Sequence, residues 1–194
     1  MDRETSWQVI AEQRLALADL LAGLSPAEWE KPSLCARWRV RDVAAHIAMT
    51  PRPPGPAVLA RAALKARGSF DRLNHDLAVA YATERTTDDL VNELRTHATE
   101  RKLPLVTNYR NVLLDVLIHL QDVAIPLGHR APMPTDAARA AATRMWEMGW
   151  PFHARRRMRG YRLVATDADW SAGAGQEVQE PIATLLLRMS GRLT

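Results

Sequence analysis

The chain has 194 residues, with 26 Lys and Arg against 22 Asp and Glu, six His and one Cys. That length and a hydrophobic content of 47% fit one globular domain with a real core and exclude a largely disordered chain. A net charge of +4 is too mild for a dedicated nucleic-acid binder, and a lone cysteine excludes an internal disulfide framework or a multi-cysteine zinc site.

The start, MDRETSWQVIAEQ, lacks the apolar stretch of a signal peptide. No apolar run approaches the roughly 18 residues of a membrane span. The expected location is the cytoplasm, without a membrane partner. The first helix is predicted to start near Thr5, where Thr5 and Gln8 have capping-box spacing, and to end at Gly23-Leu24. Ser25-Pro26-Ala27-Glu28 starts a single turn carrying Trp29. Val40, Val43, Ala44, Ile47 and Ala48 give the next helix, with Asp42 in its dipole-favoured first turn. The proline-rich stretch from Pro51 to Pro56 is a connector. Residues 57–68 and 70–83 read as helical. Thr86-Thr87-Asp88-Asp89 caps a helix predicted to reach about Lys102, and Pro104 breaks the chain. Thr107 or Asn108 caps the following helix, which ends by Pro126 and Gly128. Thr135-Asp136 opens a long helix predicted to pass Trp146 and Trp150 to about Met158, kinked or split at Pro151. From residue 160 short alternating runs and glycines at 173 and 175 predict two or three short strands, and PIATLLLRMS returns to helix. Residues 1–159 are taken as a helical bundle, and 160–194 as strands and a terminal helix packed on the same domain.

The helix over 109–127 carries the chemistry. It is apolar around most of its circumference, so it belongs in the interior. Its polar residues Asn111, Asp115, His119 and Asp122 fall on one face. One reading is a narrow solvent-facing strip. Yet the strip has no Lys, Glu or Arg, the usual solvent-facing choices. Asp and His four apart on a helix can bind one metal ion through carboxylate oxygen and imidazole nitrogen. His46, in DVAAHIA, is the natural third ligand; a lone His on an apolar face is otherwise a satisfied core histidine. Asp42, four residues earlier, either caps its helix or orients the His46 ring, and Asp122 is a second outer partner for the ligands. Three ligands leave an open coordination position, as catalytic zinc-type sites do.

His75 and His97 lie in polar helices and are expected to be exposed. The run Arg155-Arg156-Arg157-Met158-Arg159 reads first as a solvated helix C-terminus, with anion binding as the other reading. Cys35 reads as buried and structural. Trp7, Trp29, Trp38, Trp146, Trp150 and Trp170 read mostly as packing residues, with Trp38 fixing the start of the His46 helix.

SLCARWRVRDVAAHIA resembles the first signature of the mycothiol-dependent maleylpyruvate isomerase family, within the DinB-like superfamily. LLDVLIHLQDVAIPLG resembles a second signature, and YRLVATDADWSAGAGQEV and LLLRMSGR resemble the family's tail. The resemblance implies a mainly α fold: a DinB-like four-helix bundle with a long crossover, plus a short β-hairpin or three-strand element near the C-terminus. It implies a divalent metal held by His46, Asp115 and His119, most simply Zn, with Ni, Fe or Mn as alternatives. Asp115 stands where the isomerase has Glu, and Arg37 where the family tends to have Gly. The implied activity is metal- and mycothiol-dependent, of thiol S-transferase or cis-trans isomerase type. A metal-bound thiolate would attack a small electrophilic substrate. The alternative is a non-catalytic metal-binding or stress-response protein on the same scaffold. The isomerase carries a further C-terminal domain, which this chain is expected to be too short to contain in full. An Arg-over-Lys bias of 23 to 3, with 31 Ala, suggests a GC-rich genome and suits an actinobacterial source. Expected partners are a small-molecule thiol and an electrophile, with no nucleic acid. Homodimers are common among such bundles, but the sequence does not fix the assembly.

Overall fold

A computed structural model describes residues 1–103 and 107–193, so the expected break at Pro104 lies outside the described residues. In chain order the helices are α1 (Arg3–Ala22), α2 (Pro26–Trp29), α3 (Val40–Met49), α4 (Pro56–Ala66), α5 (Phe70–Thr83), α6 (Thr87–Thr96), α7 (Tyr109–Ala124), α8 (Thr135–Glu147), α9 (Ala154–Arg157) and α10 (Ile182–Ser190). The apolar helix α7 forms the axis, with α1, α3 and α8 packed around it. Residues 50–108 are the crossover between α3 and α7. Within it α5 covers α3, and α6 lies on α1 and α3. The core is continuous through Ile10, Leu17, Val43, Ile47, Leu90, Leu117 and Met145.

Two helix boundaries depart from the sequence expectation. Helix α1 starts two residues early because Asp2, not Thr5, caps it; the carboxylate accepts the Thr5 N–H at 2.8 Å. An anionic acceptor there also complements the helix dipole. Helix α6 stops at Thr96, short of Lys102. Beyond it the buried Arg14 guanidinium donates to the carbonyls of Ala98 and Glu100, both at 3.0 Å, and takes them out of any helical ladder. The long helix over 135–158 is split, one of the two outcomes expected around Pro151, into α8 and α9. Met148 is already extended, and Pro151 has no N–H with which to continue the ladder.

The C-terminal strands β1 (Gly160–Ala165), β2 (Ser171–Gly173) and β3 (Gly175–Glu180) form one sheet in the order β2-β1-β3. Strand β2 runs antiparallel to β1 and β3 parallel to it, with Leu163 opposite both Ala172 and Val178. A single residue, Ala174, carries the chain from one side of β1 to the other. That crossing requires glycine. A Cβ on Gly173 would overlap the Tyr161 carbonyl, and one on Gly175 the Gly160 carbonyl. The fully buried Leu163 joins the sheet to the core, and α10 packs on α8.

Candidate metal centre

The polar strip on α7 is only partly covered by its neighbours. From Asn111 to Ala124 every α7 residue is buried except Asn111 and Asp115. The Asp115 side chain keeps 32% of its surface exposed, against 13% for His46 and 10% for His119. The more exposed side therefore lies over Asn111 and Asp115, with the two imidazoles set deeper.

Helix α3 brings His46 across to α7. Its Nε2 stands 3.2 Å from Asp115 Oδ2 and 3.4 Å from Oδ1. His119 Nε2 is 3.4 Å from Asp115 Oδ1. The candidate ligand atoms of His46, Asp115 and His119 lie within 4.8 Å of one another, and the two rings meet edge to face at 5.0 Å. The Nδ1 atom of His46 is buried and has no hydrogen-bond partner.

His119 is held from behind. Its Nδ1 lies 2.9 Å from Asp122 Oδ2, and Asp122 is fully buried. A nitrogen facing a buried carboxylate carries the proton, which leaves Nε2 to face the cluster. Asp122 is held in turn by Arg192 at the far end of the chain, with Nε to Oδ1 at 3.0 Å and Nη2 to Oδ2 at 2.9 Å. Arg192 also donates to Cys35 Sγ at 3.3 Å. The loop before α3 closes the site from another side. Leu34 N–H donates to the Asp122 carbonyl at 3.0 Å, and the Trp38 ring stacks on His119 at 6.0 Å and meets His46 edge-on at 5.4 Å. Arg37, within this loop, has φ of 72°, a conformation that glycine adopts at less cost.

These contacts set the electrostatics. Burial alone would raise the Asp115 carboxyl, but the His46 and His119 rings hold it well below the usual carboxylate range. Burial alone would lower His119; the Asp115 and Asp122 carboxylates instead raise it to about 9. Burial pushes the Cys35 thiol up to about 12, so it is not a thiolate at neutral pH.

Of the residues singled out in the sequence, His46, Asp115, His119 and Asp122 come together here. Asp42 does not join them. Its carboxylate accepts from the Arg39 backbone N–H at 2.9 Å and from the Arg39 guanidinium, so it serves as the helix cap and does not orient His46. His75 is not in open solvent: its ring meets Trp38 at 6.0 Å. His97 is half-buried, with Nδ1 3.0 Å from Glu100. Arg155, Arg156, Arg157 and Arg159 are exposed. Trp7, Trp29 and Trp38 are buried, Trp146 and Trp170 half-buried, and Trp150 is 60% exposed. Sequence reasoning missed Arg192 and the stacking of Trp38 on His119. The only signal for Arg192 was indirect: a buried Asp122 needs a cation, and the sequence does not say which of 23 arginines supplies it.

Helical bundle, small sheet and a partly exposed His–Asp–His cluster together define a candidate metal-site protein of bundle type. Residues 10–124 match the family model described as the mycothiol maleylpyruvate isomerase N-terminal domain, and the chain belongs to that family. Among solved structures, the fold is similar to the mycothiol-dependent maleylpyruvate isomerase. The TM-score is 0.65 at 17% identity, covering all of this chain and 90% of that one. A histidine-to-alanine mutant of that isomerase gives the same TM-score at 16% identity. The likeness thus includes the strands and α10. No curated protein matches. No helix among the described residues is long and apolar enough to cross a membrane.

Proposed function

We propose that this chain is a mycothiol-dependent enzyme of isomerase or S-transferase type, acting on a small electrophile, with a divalent metal held by His46, Asp115 and His119. The observation that carries the reading is the convergence of those three donors, with Asp115 partly exposed and the two histidines sheltered. Two imidazoles and one carboxylate suit zinc, and they suit nickel, iron or manganese as well. The carboxylate set between two imidazole Nε2 atoms fits such an ion better than a purely structural polar cluster. When bound, the metal would lower the pKa of an incoming thiol and favour its thiolate.

The chain's own residues prepare that site. Asp122 keeps the proton on His119 Nδ1, so Nε2 is the donor presented to the cluster. Arg192 keeps Asp122 ionised and fixed. Trp38 covers the back of the His119 ring and excludes water from that side. Cys35 supplies no nucleophile, since its thiol is pushed up and engaged by Arg192. The reactive thiol therefore comes from a co-substrate, which enters over Asn111 and Asp115.

The test is a calorimetric titration of mycothiol into zinc-loaded and chelator-stripped protein. Saturable binding of one thiol per metal, absent from stripped protein, is expected. Equal binding to both forms would overturn the metal–thiol reading. Metal binding with no affinity for any thiol would point to a non-catalytic metal protein.

A further inference from the structure

One arginine bonded to the polar strip of α7 has no carboxylate partner among the described residues. Arg144, in the last turn of α8, is half-buried and reaches across to α7. Its Nε donates to Asn111 Oδ1 at 2.7 Å. Its only other partner among the described residues is the Met148 thioether, 3.7 Å from Nη2, a weak acceptor. No carboxylate among the described residues pairs with it. By contrast Arg110 is neutralised by Glu147 at 2.9 Å, and Arg192 by Asp122.

The position of Arg144 matters as much as its charge. Asn111 and Asp115 are the two residues of α7 between positions 111 and 124 that stay partly exposed. They are one helical turn apart, about 6 Å along the axis. Asn111 orients the guanidinium through Nε while leaving its charge uncompensated, because an amide oxygen is a neutral acceptor. Both Nη groups retain N–H donors for a ligand. An arginine fork is the group best suited to a planar carboxylate, and partial burial strengthens the pairing by removing competing water.

We infer that Arg144 is the specificity-determining residue of the site, and that it holds a carboxylate of the electrophile while the thiol sits at the His46–Asp115–His119 cluster. This rests on the metal–thiol reading given above. The arginine run at 155–159 and Arg110, the other basic candidates, are respectively exposed and paired.

The experiment uses zinc-loaded full-length protein and two pairs of probes. The first pair is 3-mercaptopropionate and its methyl ester, which share a thiol and differ in charge. The second is succinate and its dimethyl ester, which lack a thiol. Each is titrated into wild type, Arg144→Gln, Arg144→Lys and Asn111→Asp, with zinc content measured alongside. In wild type both acids should bind at least tenfold tighter than their esters. Arg144→Gln should abolish that preference, with zinc content and ester binding unchanged; Arg144→Lys should restore part of it. Asn111→Asp keeps Arg144 but supplies a carboxylate within the chain, so it too should erase the preference, even if Arg144→Gln fails to fold. An acid preference that persists in Arg144→Gln or in Asn111→Asp, or its absence from wild type, would overturn the assignment. Loss of thiol binding alone, with the succinate preference intact, would instead count against the metal–thiol reading and leave the carboxylate site standing.

Discussion

His119 makes contacts through both ring nitrogens, and the two contacts have different consequences. On the Nε2 side it faces Asp115 and His46; on the Nδ1 side it faces a buried carboxylate. In the metal-free protein its pKa lies near 9, against an ordinary value near 6.5. A group raised in the folded state stabilises that state fully below about pH 6.5 and loses its contribution as pH rises through about 9. Asp115, held low, has the opposite sign: its contribution is present at neutral pH and lost in acid. A metal must displace the His119 proton. Metal binding at pH 7.5 should therefore release about one proton, and affinity should climb with pH up to about 9. Proton release in weakly buffered indicator dye measures this directly; affinity that stays flat from pH 6.5 to 9 would be inconsistent with it. Asp122→Asn is expected to weaken metal binding by roughly 10- to 100-fold, because the amide no longer dictates the tautomer. It also leaves Arg192 without its buried counter-ion, at a cost of about 3 kcal/mol in denaturant unfolding. An unchanged midpoint would show that Arg192 finds another partner.

Whether an element was legible in the sequence depended on the range of the interaction that shapes it. The start of α3, the turn of α2 and the Asn108 cap of α7 are set by residues three or four positions apart, and those were readable. The end of α6 is set by Arg14, 84 residues earlier, and no local pattern announces it. The proposed ligands on α7 were legible because helical periodicity places Asp115 and His119 together, and His46 stood out as a polar residue in an apolar helix. Arg144 and Arg192 were not legible, since an arginine looks the same in sequence whether it faces solvent or a buried acid. The glycines at 173 and 175 were readable only as part of a segment of short strands, and their reason is tertiary: the chain passes over the first residues of β1. Gly175→Ala should cost about 2 kcal/mol or more, from the overlap with Gly160 and from a φ of 123° that favours glycine. Thermal or chemical unfolding measures it, and a neutral effect would mean that β3 is not paired in this register.

For the whole molecule, the helical bundle followed from periodicity and capping, and the family signatures placed it in the right class. The sheet's mixed topology did not follow, because alternation of residues predicts strands and not their partners. The contact between Arg192 and Asp122 ties the last residues of the chain to the back of a ligand on α7. Metal affinity and global stability are linked by mass action. At a metal concentration one hundred times the dissociation constant, stabilisation should be about 2.7 kcal/mol. For a chain of this size that raises Tm by roughly 5–10 °C. The shift should vanish in His46→Ala, and a shift of equal size there would place the ion elsewhere.

The most direct measurement is elemental analysis of purified wild type, His46→Ala and His119→Ala after dialysis against a mixture of divalent metals, with circular dichroism confirming that each is folded. The structure predicts close to one equivalent in the wild type and loss in both variants. Folded wild type without metal, or folded variants that keep a full equivalent, would contradict it.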